Sequence, residues 1–271
     1  MAVPEFLNIT TKLDSGSFNV TANAGVNRCL VVWTWDIVDE VTAVAWGGDA
    51  LTLIESETYS SPDQRVWIRA IGNAESNETK TLTVTSTNSN NLRVFAMVYQ
   101  YVNQTTPNQS QSLNSSESTS TTTFTGANMT YTGADALVVA YAQNPGDGTV
   151  SITNSGFVQR GAITWIQSTL MEVGDYTDTT SPAAVSVSNT VSVENLTAGG
   201  VVLAGQKDNT FTATPLILAA TMPNQTVSAN TTVTPLVLTS TLPNQTASVE
   251  TSKWTNKDKS TAPSWVNKEK S

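Results

Sequence analysis

Histidine is absent from this chain of 271 residues, and cysteine occurs once, at Cys29. Without histidine there is no Ser-His-Asp or Cys-His catalytic site, no imidazole acid or base, and no His-ligated zinc. A single cysteine excludes an intrachain disulfide, and the apolar neighbours of Cys29 predict a small buried side chain. The histidine-dependent classes of enzyme are therefore excluded, and no cofactor is expected.

Charge is also scarce. Charged side chains make up 13% of the residues, and 22 acidic against 13 basic side chains give a formal net charge of -9. Nucleic acid is not an expected partner, because binding its backbone needs clustered cations. Hydroxyl groups take the place of charge, since the chain carries 44 threonines and 28 serines. A hydroxyl-covered surface of this kind favours an extracellular or particle-bound protein.

Long apolar runs are missing as well. No window approaches the roughly 18 consecutive apolar residues of a membrane-spanning helix, so no membrane span is predicted. The first residues lack the basic and apolar regions of a secretory signal. Either a leader has been removed from a mature form, or the protein is produced and assembled in the cytosol, and the methionine at position 1 favours the second.

Alternation of apolar and polar residues is the dominant pattern that is present. Residues 79–85 read TKTLTVT, which predicts a strand with Leu82 and Val84 inward and threonines outward. Other segments are continuously apolar, as in central strands buried on both faces. These segments are residues 30–35, 92–101, 137–141 and 201–204. With turn signals between them, they predict an all-β domain over residues 1–205, an antiparallel, jelly-roll-like β-sandwich of two packed sheets.

A polar segment interrupts this region. Residues 103–123 are almost purely Asn, Gln, Ser and Thr, with Leu113 as the one large apolar side chain. The composition predicts an exposed excursion, or a strand pair on the surface, that contacts a partner. A solvated loop without such a role is the alternative.

A tandem repeat follows a polar break near residue 206. Residues 214–226, TPLILAATMPNQT, recur as residues 234–246, TPLVLTSTLPNQT, with a period of 20 residues. Each unit predicts two short strands around a proline turn, which cannot bury their own apolar side. Two units are too few for a self-supporting solenoid, so residues 206–250 are expected to pack between subunits of a homo-oligomer, with a trimer favoured. A flexible spacer is the alternative.

A second repeat fills the C-terminal tail, residues 251–271. The sequences WTNKDKS and WVNKEKS are 11 residues apart and place Trp254 and Trp265 beside Lys257 and Lys268. Tryptophan is a common anchor at protein interfaces, and lysine steers association toward an acidic surface. These four residues are the candidate partner-binding site, and a disordered tail is the alternative.

Part of the chain resembles a β-sandwich module of phage virion proteins and bacterial surface proteins. The resemblance is carried by VAWGGDALT at residues 44–52, RVWI at 65–68, LTVT at 82–85 and GADALVV at 133–139, and spans residues 6–205. Trp46 stands where that module is expected to have tyrosine, and the polar segment is an insertion. The tail repeats are similar to peptides at the ends of phage and uncultivated-bacterial structural proteins. The resemblance implies a structural or attachment role and brings no catalytic residue.

Glycoside hydrolysis, calcium binding and sugar binding need no histidine. A glycosidase needs two carboxylates, but no spacing singles out a pair among the available acidic residues, which include Glu55, Glu57, Glu172, Asp175 and Asp178. Asp175 and Asp178, with Asp147, are candidate oxygen ligands for calcium, although no regular ligand ladder is present. Tryptophans in strands are candidates for stacking on sugar rings, but they more often belong to the core. These are Trp33, Trp35, Trp67 and Trp165.

The leading hypothesis is a non-enzymatic virion structural protein, a phage capsid-decoration, head-fibre or tail-fibre component located at the virion surface. Its expected partners are further copies of itself and other virion structural proteins. The alternative is an extracellular filament or surface-layer subunit. In that case the eleven Asn-x-Ser/Thr sequons would be available for glycosylation. A carbohydrate-binding adhesin that recognises a host-surface glycan overlaps with both hypotheses.

Overall fold

The fold is all-β with antiparallel sheets. The computed structural model describes residues 2–14, 16–36, 40–58, 63–86, 92–116, 121–132, 136–144, 148–165, 168–179, 181–193 and 196–206, and these contain seventeen strands and no helix. The chain divides into two units, Met1–Thr212 and Ala213–Ser271. The predicted 20-residue repeats and the predicted tail lie outside the described residues, so the predicted boundaries at 205 and 250 stay predictions.

The first half of the described chain forms two sheets. Its strands are β1 Glu5–Leu13, β2 Ser17–Ala22, β3 Gly25–Asp36, β4 Val41–Trp46, β5 Asp49–Ala50, β6 Thr52–Thr58, β7 Asp63–Ala74, β8 Glu78–Ser86 and β9 Leu92–Gln100. The first inner sheet has the order β1-β9-β3-β7-β6, and the first outer sheet has the order β2-β8-β4-β5.

The second half repeats this topology. Its strands are β10 Asn108–Ser115, β11 Thr121–Thr125, β12 Ala136–Gln143, β13 Val150–Ile152, β14 Val158–Trp165, β15 Ser168–Asp178, β16 Ser186–Val193 and β17 Thr197–Leu203. The second inner sheet has the order β10-β17-β12-β15-β14, and the second outer sheet has the order β11-β16-β13. Taken in chain order, each strand of the second half occupies the place of a strand of the first, and only β5 has no counterpart.

Irregularities in strand pairing recur at the same places in both halves. The β1–β9 pair shifts register between Phe6 and Asn8, and the β10–β17 pair shifts between Asn108 and Ser110. The β6–β7 pair shifts around Ile54, and the corresponding β14–β15 pair shifts around Arg160. Because a β-bulge is a specific local feature, its recurrence at two equivalent places gives a residue-by-residue correspondence between the halves.

The two halves pack through their inner sheets in a reciprocal way. At one side of the interface β6 contacts β10, and at the other side the equivalent strands β14 and β1 are in contact. Reciprocal contacts of this kind define an isologous, pseudo-twofold interface, as in a symmetric dimer. Trp33 of β3 and Tyr141 of β12, which occupy corresponding positions, stack with ring centroids 4.8 Å apart and planes 10° apart.

Three apolar cores separate the sheets. The central core lies between the inner sheets, and each inner sheet also shares a core with the outer sheet of its own half. Along β3, Val31 and Trp33 enter the central core, while Leu30 and Val32 enter the core on the opposite face. Four layers rather than the predicted two therefore explain the continuously apolar segments, because a central strand of an inner sheet has a core on each face.

The outer sheets alternate as the sequence predicts. Leu82 and Val84 of β8 are buried, and the threonines that alternate with them, at positions 81, 83 and 85, are exposed. Cys29 is buried, as predicted, and burial raises the pKa of its thiol far above the usual range.

The prediction of an exposed excursion at residues 103–123 is wrong for its central part. Residues 108–115 form β10, an edge strand of the second inner sheet paired with β17, and Leu113 is buried in the central core. Glycine in β17 makes this close approach possible, because a Cβ atom at Gly199 would lie 2.3 Å from the carbonyl oxygen of Ser112. β11 lies at the edge of the second outer sheet and pairs with β16 rather than with β10.

Candidate functional site

The residues predicted to bind a partner cannot be placed in the fold. Trp254, Lys257, Trp265 and Lys268 all lie outside the described residues, so their role stays a prediction. No helix in the described ranges has the length and apolar character needed to cross a membrane.

The carboxylates of β15 do not form a catalytic pair. Glu172 accepts a hydrogen bond from the Ile152 backbone N–H at 2.6 Å, which places it toward the second outer sheet. Asp175 instead faces the central core, where the Tyr99 hydroxyl donates to it at 3.2 Å. Residues three apart on a strand project from opposite faces, so Glu172 and Asp175 cannot act on one substrate, and Asp175 and Asp178 do not share a cation. No cluster of potential metal ligands occurs in the described part of the chain.

Glu172 makes stability depend on pH. Burial raises the pKa of its carboxyl group, and the hydrogen bond from Ile152 opposes this only in part. A pKa raised in the folded state means that the protonated carboxyl favours folding. That contribution is complete below the ordinary pKa of about 4.3 and is lost as the pH rises through the raised value.

A glutamine at position 172 should therefore stabilise the protein at neutral pH. Glu172→Gln keeps an acceptor for the Ile152 N–H and removes the buried charge, so we expect an increase of about 1 kcal/mol in the free energy of unfolding at pH 7. The gain should shrink as the pH falls toward 4. Urea denaturation at both pH values, with the exposed Glu75→Gln as control, measures this. A variant less stable than the parent at pH 7 would contradict the assignment.

Three of the tryptophans considered for sugar stacking are buried. Trp33, Trp35 and Trp67 are 1%, 4% and 4% exposed, so that role is wrong for all three. Trp33 and Trp35 belong to the central core, and Trp67 belongs to the core between the two sheets of the first half. The side chain of Trp165 is outside the described set.

A polar cluster joins the two halves at one side of the pseudo-twofold interface. Arg160 donates two hydrogen bonds to Asp175, from Nε at 2.8 Å and from Nη2 at 3.0 Å. Its guanidinium lies 4.3 Å from the centroid of the Phe6 ring, and that ring meets Tyr99 edge-on at 5.7 Å. The hydrogen bonds that Arg160 donates to Asp175 raise the pKa of Arg160, and burial together with Asp175 raises the pKa of Tyr99.

The corresponding place at the other side of the interface is open. Ile54 corresponds to the bulge residue Arg160. Ile68 corresponds to Asp175. Their partners on the neighbouring strands, Thr52 and Val158, correspond as well. A groove of about 420 Å³ is found there. Its lining comprises Ala50, Thr52, Ile54, Ile68, Arg69, Ala70 and residues 104–108.

Both aromatic rings of the filled place are replaced at the open one. Phe6 pairs with Tyr99 at the bulge of β1, and Asn108 pairs with Leu203 at the equivalent bulge of β10. Asparagine therefore stands at the position of the phenylalanine that fills the opposite side. The pseudo-twofold symmetry holds for the backbone and is broken by side chains, which leaves the groove empty of protein atoms.

The loop that forms one wall of the groove is held by side-chain amides. The Gln104 Oε1 atom accepts from the Gly72 N–H at 2.9 Å, and its Nε2 atom donates to the carbonyl oxygens of Val102 and Arg28 at 2.8 and 3.1 Å. Asn103 Oδ1 accepts from the N–H groups of Thr105 and Thr106, at 2.9 and 3.0 Å. These bonds fix the loop conformation in the absence of a ligand.

The groove has one cationic lining residue, and its charge is balanced. Arg69 donates from Nη1 to the Ala50 carbonyl at 2.7 Å, and its Nη2 atom lies 3.3 Å from Asp49 Oδ2. The apolar floor and the threonine-rich rim carry no other charge. The arrangement can therefore accommodate a neutral ligand with both apolar and hydroxyl surfaces.

Sequence reasoning missed this groove and the Arg160–Asp175 pair. The groove depends on packing between halves that share topology without an evident repeat in sequence, and the pair depends on the β14–β15 register and its bulge. Comparison of the chain with protein-family models, curated proteins and solved structures gave no match.

Proposed function

We propose that the protein is a non-enzymatic structural component of a phage virion, a capsid-decoration, head-fibre or tail-fibre protein. In this proposal each half is a jelly-roll-like β-sandwich, and the fused pair forms a rigid body displayed at the virion surface. The observation that carries the proposal is the succession of four antiparallel layers around three apolar cores. Such a body needs neither a disulfide nor a metal to be stable outside a cell.

Sequons within the β layers support an unmodified chain. Asn8 Nδ2 donates to the Thr21 carbonyl at 2.6 Å, and Asn108 Nδ2 donates to Gln111 Oε1 at 3.0 Å. A glycan would be attached through this same nitrogen atom, so glycosylation at either site would disturb the contact. At these two of the eleven sequons the contacts support an unmodified asparagine, as the virion proposal expects.

Location and mass together test the proposal. Antibodies against the purified chain should label one defined position on intact particles in electron microscopy, and the subunit extracted from them should have the unmodified mass of 28.8 kDa. Light scattering should show a closed oligomer, for which a trimer is proposed. Unlabelled particles, or a heavier, heterogeneous subunit in open-ended polymers, would instead support the filament or surface-layer alternative.

Truncation tests the proposed docking role of the tail. Removal of residues 253–271 deletes both tryptophan repeats and should leave the melting temperature unchanged while incorporation into particles is lost. The matched control keeps the full length and replaces Lys257 and Lys268 by alanine. This should weaken incorporation less, because charges at the rim of an interface mainly affect the association rate. Normal incorporation of the truncated chain would contradict the docking role.

A further inference from the structure

The groove beside β6 is a place that the protein leaves open at one side of the interface and fills at the other. Phe6 and Arg160 are in contact and close the interface between β1 and β14. At the other side Asn108 and Ile54 border a groove of about 420 Å³, between β6 and the loop that leads into β10. This volume lies within the range of about 300 to 1,000 Å³ that is usual for small-ligand sites. Two equivalent places on one backbone framework therefore differ in whether side chains fill the space between the halves.

We propose that this groove binds a neutral saccharide. Ile54, which lies over the buried Ile68, supplies an apolar surface for the C–H face of a sugar ring. The rim carries the hydroxyl groups of Thr52, Thr105 and Thr106. None of these three hydroxyls has a hydrogen-bond partner among the described residues, so each can donate to or accept from a sugar hydroxyl. The Asn103 and Gln104 hydrogen bonds fix the loop beforehand, which lowers the entropy cost of binding.

Charge in the groove selects against ionic ligands. The guanidinium of Arg69 is paired with Asp49 and with a backbone carbonyl, so an anion would have to compete with an existing ion pair. No acidic side chain lines the groove to attract a cation. A polyhydroxyl ligand without net charge matches this balance.

The backbone groups in the loop wall of the groove are already paired. Strand addition requires free N–H and C=O groups. Here the N–H groups of Thr105 and Thr106 donate to Asn103, and Pro107 has no N–H while its carbonyl oxygen accepts from Ala204 at 2.9 Å. The loop therefore presents side-chain hydroxyls rather than a strand edge, which suits a saccharide. β6 is an edge strand of the first inner sheet, so a bound peptide is the competing outcome of the test.

Saturation-transfer NMR on the full-length chain tests the proposal with maltose, lactose, mannobiose and N,N′-diacetylchitobiose as probes. At least one probe should receive saturation and shift the methyl signals of Thr105, Thr106 and Ile54. Asn108→Phe introduces the ring that fills the equivalent place and should abolish binding. Thr105→Val with Thr106→Val keeps the shape, removes two hydroxyls and should weaken binding about tenfold.

Controls separate the groove from the general hydroxyl-rich surface. Thr83→Val with Thr85→Val removes two exposed hydroxyls from β8 and should leave binding unchanged, and melting curves confirm that every variant is folded. The proposal is overturned if none of the four probes binds, or if binding survives Asn108→Phe. It is also overturned if a synthetic peptide of residues 3–8, which contains the phenylalanine of the filled side, binds the groove while the sugars do not. These outcomes concern only the groove and do not depend on the virion role.

Discussion

Replacing Trp33 by alanine should lower the free energy of unfolding by about 3 to 5 kcal/mol, the usual cost of deleting a large buried aromatic side chain. Trp33 is 1% exposed and stacks on Tyr141 across the interface between the inner sheets. Its loss opens a cavity in the central core, which rigid strands on both sides cannot close. Chemical denaturation followed by tryptophan fluorescence and by circular dichroism measures the change.

A double-mutant cycle isolates the contact between the halves. If Trp33 and Tyr141 interact as the stacked geometry indicates, the losses for Trp33→Ala and Tyr141→Ala should couple by about 0.5 to 1.5 kcal/mol. Trp46 provides a comparison, because it is 2% exposed but lies in the core of the first half alone. Trp46→Ala should destabilise without coupling to Tyr141→Ala. Additive losses for Trp33 and Tyr141, or a loss below 1 kcal/mol for Trp33→Ala, would contradict the proposed role of the stack.

The residue patterns that predict strands also contain the signal for four layers. Alternation at residues 79–85 correctly predicts which side chains of β8 are buried, because an outer strand has one core face and one solvent face. The continuously apolar segment at residues 30–35 indicates a strand buried on both faces. A sandwich of two sheets offers no such strand, so this segment is inconsistent with the predicted two layers and consistent with the observed four.

The repeated topology could not be predicted from side chains, because the two halves use different residues at equivalent places. Trp33 corresponds to Tyr141, and Phe6 corresponds to Asn108. Backbone pairing and bulges are maintained by hydrogen bonds that nearly every residue type can make, so one topology tolerates both sets. The groove is harder still to predict, since it arises from the absence of a ring at a position that the sequence presents as an ordinary polar residue.

Arg160→Met should be the most damaging single substitution at the polar cluster, with a loss of about 3 kcal/mol. The Asp175 side chain is 5% exposed, whereas that of Arg160 is 27% exposed. Removal of the cation therefore leaves a carboxylate that water cannot reach, which is the costly way to break a buried ion pair. Asp175→Asn leaves a guanidinium that solvent can partly hydrate, so we expect a smaller loss. Urea denaturation of both variants measures the order, and a larger loss for Asp175→Asn would contradict it.

Replacing the whole cluster by apolar side chains should cost much less than breaking it. The other side of the interface already has such a set, because Ile54, Ile68 and Leu203 stand at the positions that correspond to Arg160, Asp175 and Tyr99.

The triple variant Arg160→Met, Asp175→Ile and Tyr99→Phe keeps a ring beside Phe6 and leaves no unpaired polar atom. Its stability should lie within about 1 kcal/mol of the parent. A triple variant as unstable as Arg160→Met would show that the ion pair adds net stability. Recovery would instead mean that the buried pair adds no net stability over an apolar set of side chains.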